Sequence, residues 1–121
     1  MAQVLVVDDS MITRLQLQDA LKKEGVSSEA AGDGNAALLA IAADPDIELV
    51  VSDVHMPHMD GLALVSALRS QFPERAVKVI MLTTEDSSIL KEKAADLNIM
   101  GWVVKPMSPS LGKMIAKVLG M

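Results

Sequence analysis

Short apolar runs alternate with longer amphipathic segments five times along the chain, the pattern of a repeated βα unit. The runs predict strands at Val4–Val7, Ser27–Ala31, Ile47–Ser52, Lys78–Leu82 and Trp102–Val104. Three of these are continuously apolar, as parallel strands covered on both faces require. The second, Ser27-Ser28-Glu29-Ala30-Ala31, is polar and weakly β, which suits an edge of the sheet. Between the strands, apolar positions recur at helical spacing. Thr13, Leu17, Ala20 and Leu21 share one face of Met11–Glu24, stopped by Gly25, while Leu15 falls off that face. Ala37, Leu38 and Ile41 do the same between Asp33-Gly34 and Asp44-Pro45, and Leu64, Val65 and Leu68 between Asp60-Gly61 and Phe72-Pro73. A fourth predicted helix, Ser87–Asn98, turns Leu90, Ala94 and Leu97 inward; a fifth, Ser108–Leu119, turns in Leu111, Ile115 and Val118 and is weakened by Gly112. Right-handed crossovers make such a chain an open, doubly wound α/β sheet, and ligands then bind beyond the carboxyl ends of the strands.

Composition narrows the possibilities. At 121 residues the expectation is a single domain over 1–121, and half of those residues are hydrophobic, enough for a core without staples. There is no cysteine, which excludes a disulfide scaffold, a thiolate metal site and a cysteine nucleophile, and fits a reducing cytoplasm. Eleven basic residues against 16 acidic ones leave a net charge of −5 with no run of Lys or Arg, so direct nucleic-acid binding is disfavoured. No apolar stretch reaches membrane-spanning length, and Val4–Val7 runs into two aspartates rather than a signal-peptide core; a soluble, unexported, cytoplasmic protein is expected. Phe72 and Trp102 are the only aromatic residues, too few for a flavin site or a base-stacking platform.

Chemistry gathers at the predicted carboxyl ends. The first strand ends in Asp8-Asp9, the third in Asp53, the fourth in Thr83-Thr84 and the fifth in Lys105-Pro106. Singly, each has a bland explanation: Asp9 as a helix cap, Thr83 as a strand terminus, Lys105 as a solvated cation. Together, three carboxylates, a hydroxyl and one ammonium on one rim make a site for a hard cation and a phosphoryl group, with Mg²⁺ the natural occupant. Like charges at 4 Å repel by about 1 kcal/mol in water and about 4 at an effective dielectric of 20, so the metal-free site is expected to be strained.

Four segments in order, Val6-Val7-Asp8-Asp9-Ser10, Val50-Val51-Ser52-Asp53-Val54-His55-Met56-Pro57-His58-Met59-Asp60-Gly61, Met81-Leu82-Thr83 and Val103-Val104-Lys105-Pro106, carry a resemblance that covers the whole chain. The sequence resembles the receiver domain of two-component response regulators, and in size and termini is similar to the stand-alone chemotaxis regulators. The resemblance implies a flavodoxin-like three-layer sandwich with sheet order 2-1-3-4-5. It implies that Asp53 accepts a phosphoryl group from a phosphohistidine of a sensor histidine kinase. It also implies that Asp8, Asp9, Asp53 and the backbone carbonyl of His55 hold Mg²⁺, that Lys105 pairs with the phosphoryl oxygens, and that Thr83 hydrogen-bonds one of them. In-line phosphoryl transfer needs mainly positioning and charge neutralisation, which such residues supply.

Some positions depart from the family's habit. His55 stands two residues after the acceptor, where Asn and other polar residues are familiar, so its ring could order or exclude an attacking water. Trp102 replaces the usual switching Tyr or Phe, and its bulk is expected to hinder inward closure. Thr83 and Trp102 are the expected switch pair. His55 and His58 with Met56 and Met59 invite a soft-metal reading, weakened by Pro57 between them and by the lack of a further soft ligand. Met100, Met107 and Met114 could form an adaptable docking surface or simply fill gaps.

The resulting expectation is a monomeric phosphorylation switch, catalysing only its own phosphorylation and dephosphorylation and signalling through protein binding. Its partners would be the kinase, a downstream target such as a flagellar motor switch or another signalling protein, and a phosphatase; neither nucleic acid nor membrane is expected among them. No output domain is expected after the fifth helix, although the receiver part of a longer regulator would read alike. A magnesium-dependent aspartyl phosphatase of the haloacid dehalogenase type is the rival, but its two aspartates are spaced by one residue, whereas Asp8 and Asp9 are adjacent. A flavodoxin-like electron carrier would need a hydroxyl-rich phosphate loop and stacking aromatics.

Overall fold

The computed structural model describes residues 2–56, 58–83, 88–105 and 110–120, with the backbone alone for 88–90. Strands β1 (Val4–Val7), β2 (Ser28–Ala31), β3 (Leu49–Asp53), β4 (Lys78–Thr83) and β5 (Gly101–Val104) alternate with helices α1 (Met11–Lys23), α2 (Gly34–Ala43), α3 (Gly61–Gln71), α4 (Ser88–Lys93) and α5 (Leu111–Val118). All strand pairs are parallel, as the α/β reading requires, and they lie in the order β2-β1-β3-β4-β5 that the resemblance implies. The polar second strand is at one edge.

Alternation along each strand splits the core in two. Leu5, Val7, Val50, Val79 and Met81 face Ala37, Ile41, Leu64, Val65 and Leu68, the inward residues of α2 and α3. Val4, Val6, Leu49, Val51, Ile80 and Leu82 face Leu17, Leu21, Leu111 and Ile115 of α1 and α5 on the opposite side. Central strands therefore bury both faces, which is why they read as unbroken apolar runs.

Helix starts follow local side-chain chemistry. Ser10, Asp33 and Asp60 accept backbone N–H groups of Thr13, Ala36 and Ala63 at 3.3, 2.8 and 2.8 Å, capping α1, α2 and α3. Ser10, not Asp9, is thus the cap that frees Asp9 for other work. Two helical expectations are corrected. The single helix over Ser87–Asn98 is instead α4 followed by a 3₁₀ turn, Ala95–Leu97, with Asn98 left-handed at φ 56°. The Leu97 N–H donates to the Ala94 carbonyl at 2.9 Å, and Arg69 takes the carbonyls of Leu97 and Asn98 at 3.0 and 3.1 Å, tying the end of this turn to α3. Gly112 is no defect of α5: a Cβ there would stand 2.7 Å from the Ala20 carbonyl oxygen, so its lack of a side chain lets α5 close on α1. The predicted starts of these two helices at Ser87 and Ser108 lie outside the described residues, as do Thr84, Pro106 and Met107. No helix among the described residues is long and apolar enough to cross a membrane.

Candidate functional site

Strand ends bring the acidic residues together. Asp8 follows β1 and Asp53 is the last residue of β3, one place later than the predicted strand end, so both enter the rim with backbone fixed by the sheet. Asp8 is 1% exposed and Asp53 7%, whereas Asp9 is exposed. One carboxylate oxygen from each lies within 4.8 Å of the others, and this is the metal-suited group found among the described residues. Oxygens sharing one Mg²⁺ at about 2.1 Å lie about 3 to 4 Å apart, so small side-chain shifts would bring these hard, anionic donors into an octahedral set. The donor set therefore fits magnesium. Neither the His55 nor the His58 imidazole belongs to it, and the soft-metal reading gains nothing from the structure.

Lys105, just past β5, reaches across the rim. Its Nζ donates to Asp53 Oδ2 at 3.1 Å and to Asp8 Oδ2 at 3.2 Å. Burial pulls the ammonium pKa down, but the hydrogen bonds and charges of Asp53 and then Asp8 outweigh it and hold the group above its ordinary range. Lys105 therefore relieves part of the repulsion expected of a metal-free rim: its one ammonium pairs with the two buried carboxylates, and the exposed Asp9 faces solvent. The Lys105 N–H also donates to the Thr83 carbonyl at 2.7 Å, tying the lysine to the end of β4.

The turn after Asp53 is equally constrained. His55 donates its backbone N–H to Asp53 Oδ1 at 3.3 Å, its ring remaining exposed. The Val54 carbonyl accepts the Gly61 N–H at 2.7 Å, closing the loop onto the start of α3. A Cβ at Gly61 would fall 2.3 Å from the Asp53 carbonyl oxygen, 2.5 Å from Met81 Cε and 3.0 Å from Val54 Cα. Only glycine permits that approach, so Gly61 fixes the Asp53 backbone without touching its carboxylate. Sequence reading used Gly61 only as a helix start; a glycine immediately after a capping aspartate was the available signal. His58 adopts a left-handed φ of 69° in the same loop.

Thr83 ends β4 and is fully buried, 0% exposed. Trp102 pairs in register with Met81, and Val104 with Thr83, so Trp102 and Val104 share a face two residues apart. The indole is half-buried against the α2–α3 side of the core, neither free in solvent nor enclosed. Met100 and Met114 are exposed at 51% and 40%.

With this geometry in view, the sequence model of the response regulator receiver domain matches residues 4–118. The chain is 35% identical over 107 residues to a probable chemotaxis protein CheY of Rhizobium etli, covering 88% of this chain and 82% of that one. It is 36% identical over 110 residues to the transcriptional regulatory protein PdtaR of Mycobacterium tuberculosis, of which it spans 51%. Among solved structures, chemotaxis protein CheY4 of Vibrio cholerae superposes with a TM-score of 0.85 at 36% identity, covering 99% of this chain and 97% of that one.

Proposed function

Because the chain belongs to the response regulator receiver domain family, we propose that it is a phosphorylation-controlled binding switch whose phosphoacceptor is Asp53. One observation carries this reading: a nearly buried carboxylate at a strand tip, paired with an ammonium at 3.1 Å and lying within 4.8 Å of two further carboxylates. A phosphohistidine of a sensor histidine kinase is the proposed donor. One Asp53 oxygen attacks phosphorus in line, the new P–O bond forms as the P–N bond breaks, and the imidazole leaves with the electron pair. Asp8, Asp9 and Asp53 with the His55 carbonyl are the residues that would hold Mg²⁺, which supplies charge neutralisation for the transferred group. Lys105 exchanges part of its contact with the carboxylates for the phosphoryl oxygens, and Thr83 hydrogen-bonds one of them. The chain acts on no external substrate in this reading; it turns over only its own phosphoryl group, in the cytoplasm.

The similarity to chemotaxis regulators of comparable length supports a chemotaxis-type role, with a downstream protein as the reader of the phosphorylated state. Acetyl phosphate with Mg²⁺ should add one phosphoryl group by intact mass, and none to Asp53→Asn. Persistent modification of Asp53→Asn would move the acceptor elsewhere, with Asp9 next. Multiple turnovers of a phosphomonoester would instead favour the aspartyl phosphatase.

A further inference from the structure

Arg14 was given no role by its sequence, yet it is half-buried in the first turns of α1 and its Nη1 donates to the Asp8 backbone carbonyl at 2.7 Å. The guanidinium lies over Gly32, just past β2, where a Cβ would come 3.4 Å from Nη1 and 3.9 Å from Cζ. It therefore bridges the ends of two neighbouring strands. The carbonyl it holds belongs to the peptide unit joining Asp8 to Asp9, and that unit is planar, so fixing its oxygen fixes the direction in which the next Cα departs.

The two aspartates depend on this bond to different degrees. Asp8 is anchored several times over: its N–H donates to the Ala31 carbonyl at 3.2 Å, and its carboxylate accepts the Ser10 N–H at 2.9 Å and Lys105 Nζ at 3.2 Å. Asp9 is exposed, and its carboxylate makes no hydrogen bond or ion pair among the described residues. The backbone is what aims it. We propose that Arg14 is a positioning residue that holds the Asp8–Asp9 peptide so that the Asp9 carboxylate is presented to the bound cation. This rests on the reading of Asp8, Asp9 and Asp53 as the Mg²⁺ ligands.

Two effects of the guanidinium oppose each other. As a fixed positive charge it repels Mg²⁺, so by charge alone its removal should tighten binding. As a charge-assisted donor to the ligand-bearing backbone it pre-organises the site, and loss of such supporting bonds weakens metal affinity by about 10- to 100-fold. The positioning effect is the larger, and the sign of the change separates the two.

The test is Mg²⁺ titration calorimetry on the unphosphorylated chain. Arg14→Met, which keeps the aliphatic stem and removes the donor, should raise the Mg²⁺ Kd about tenfold. Arg14→Lys, whose ammonium can reach the same carbonyl, should recover most of the loss. In an Asp9→Asn background, adding Arg14→Met should change Kd by less than about twofold, because the two residues act through one ligand. If Arg14→Met does not fold, Arg14→Gln against Arg14→Lys carries the same comparison. An Arg14→Met that binds as tightly as wild type or tighter, or a tenfold loss that persists in Asp9→Asn, overturns the proposal. Absence of Mg²⁺ binding in the wild type would overturn the metal site itself.

Discussion

The two halves of the carboxyl rim are built differently. Every residue of β1 and β3 is buried, and these strands carry Asp8 and Asp53. No residue of β5 is fully buried, and Val104 is 56% exposed. Behind the first half, α1 and α5 approach to the distance that Gly112 allows; beside the second, α4 is six residues long and gives way to a 3₁₀ turn. The half that holds Asp53 is buried throughout its strands, and the half that supplies Lys105 has fewer buried contacts to lose on moving. On the proposed reading, the less buried half is the one that responds as a switch, and the buried half is the one that keeps the rim oxygen atoms in register.

Glycine substitutions should give the largest contrast between the halves. Gly61→Ala drives a methyl group into two backbone atoms and Met81, and should cost about 3 kcal/mol or prevent folding. Gly112→Ala should cost about 2 kcal/mol by separating α1 from α5. Val104→Ala, on the exposed half, should stay within about 0.5 kcal/mol. Urea denaturation measures all three, and comparable losses would break the distinction.

Lys105 joins the halves, and its removal should come next. Lys105→Ala leaves two buried carboxylates without their cation and should destabilise the protein by about 2 kcal/mol, less than for a fully buried broken pair because the lysine is partly exposed. Millimolar Mg²⁺ should then raise Tm more in Lys105→Ala than in wild type, since a metal bound only to the native state replaces the missing charge. An equal increment in both would mean that lysine and metal do not share the same carboxylates.

A smaller signal should report on the less buried half itself. Phosphorylation is expected to change Trp102 fluorescence, because added phosphoryl charge recruits Lys105 and Thr83 and shifts β5 beneath the half-buried indole. Thr83→Ala should incorporate the phosphoryl group by mass yet show a reduced fluorescence change. A response equal to wild type would uncouple Thr83 from Trp102.

Strand order aside, most of this architecture was legible because local patterns carry it. Val4–Val7 and Val79–Leu82 announce buried parallel strands by being apolar throughout, and Asp33-Gly34 and Asp60-Gly61 mark helix starts where the aspartates do cap. Asp8, Asp53, Thr83 and Lys105 were identifiable as rim residues because a parallel sheet places all its strand ends on one side. What stayed hidden depends on contacts distant in sequence. Gly112 looks like a weak helix residue until Ala20 is seen against it, and Arg14 looks like a solvated cation until Asp8 is seen to accept from it. Arg75 similarly donates to the carbonyls of Ile41, Asp44 and Ile47 at 2.5, 3.1 and 3.1 Å, a tie between the end of α2 and the turn after α3 that no periodicity encodes.

The smallest effect is expected away from the rim altogether, at the amino end of the sheet. Asp44, 8% exposed, caps the end of α2, accepting the Asp46 N–H at 2.9 Å and the Ala2 N–H at 3.1 Å. The Asp46 bond first, and then the Ala2 bond, hold its pKa below the ordinary 3.8 against the opposing pull of burial. A carboxylate whose folded pKa lies below its unfolded value contributes stability that is complete above the unfolded pKa and is lost as pH falls through the folded one. Asp44→Asn should therefore lower the urea midpoint at neutral pH, and the gap from wild type should narrow as pH drops below about 4. Lys105 has the opposite sign: its pKa is raised, so its contribution is complete below about 10.4 and is lost as pH climbs further. Subtracting Asp44→Asn from wild type isolates the acid limb, and Lys105→Ala isolates the alkaline limb. A gap for Asp44→Asn that stays constant from neutral pH to about 3 would show that the carboxylate's charge contributes nothing. The amino end would then be held by its backbone ties alone.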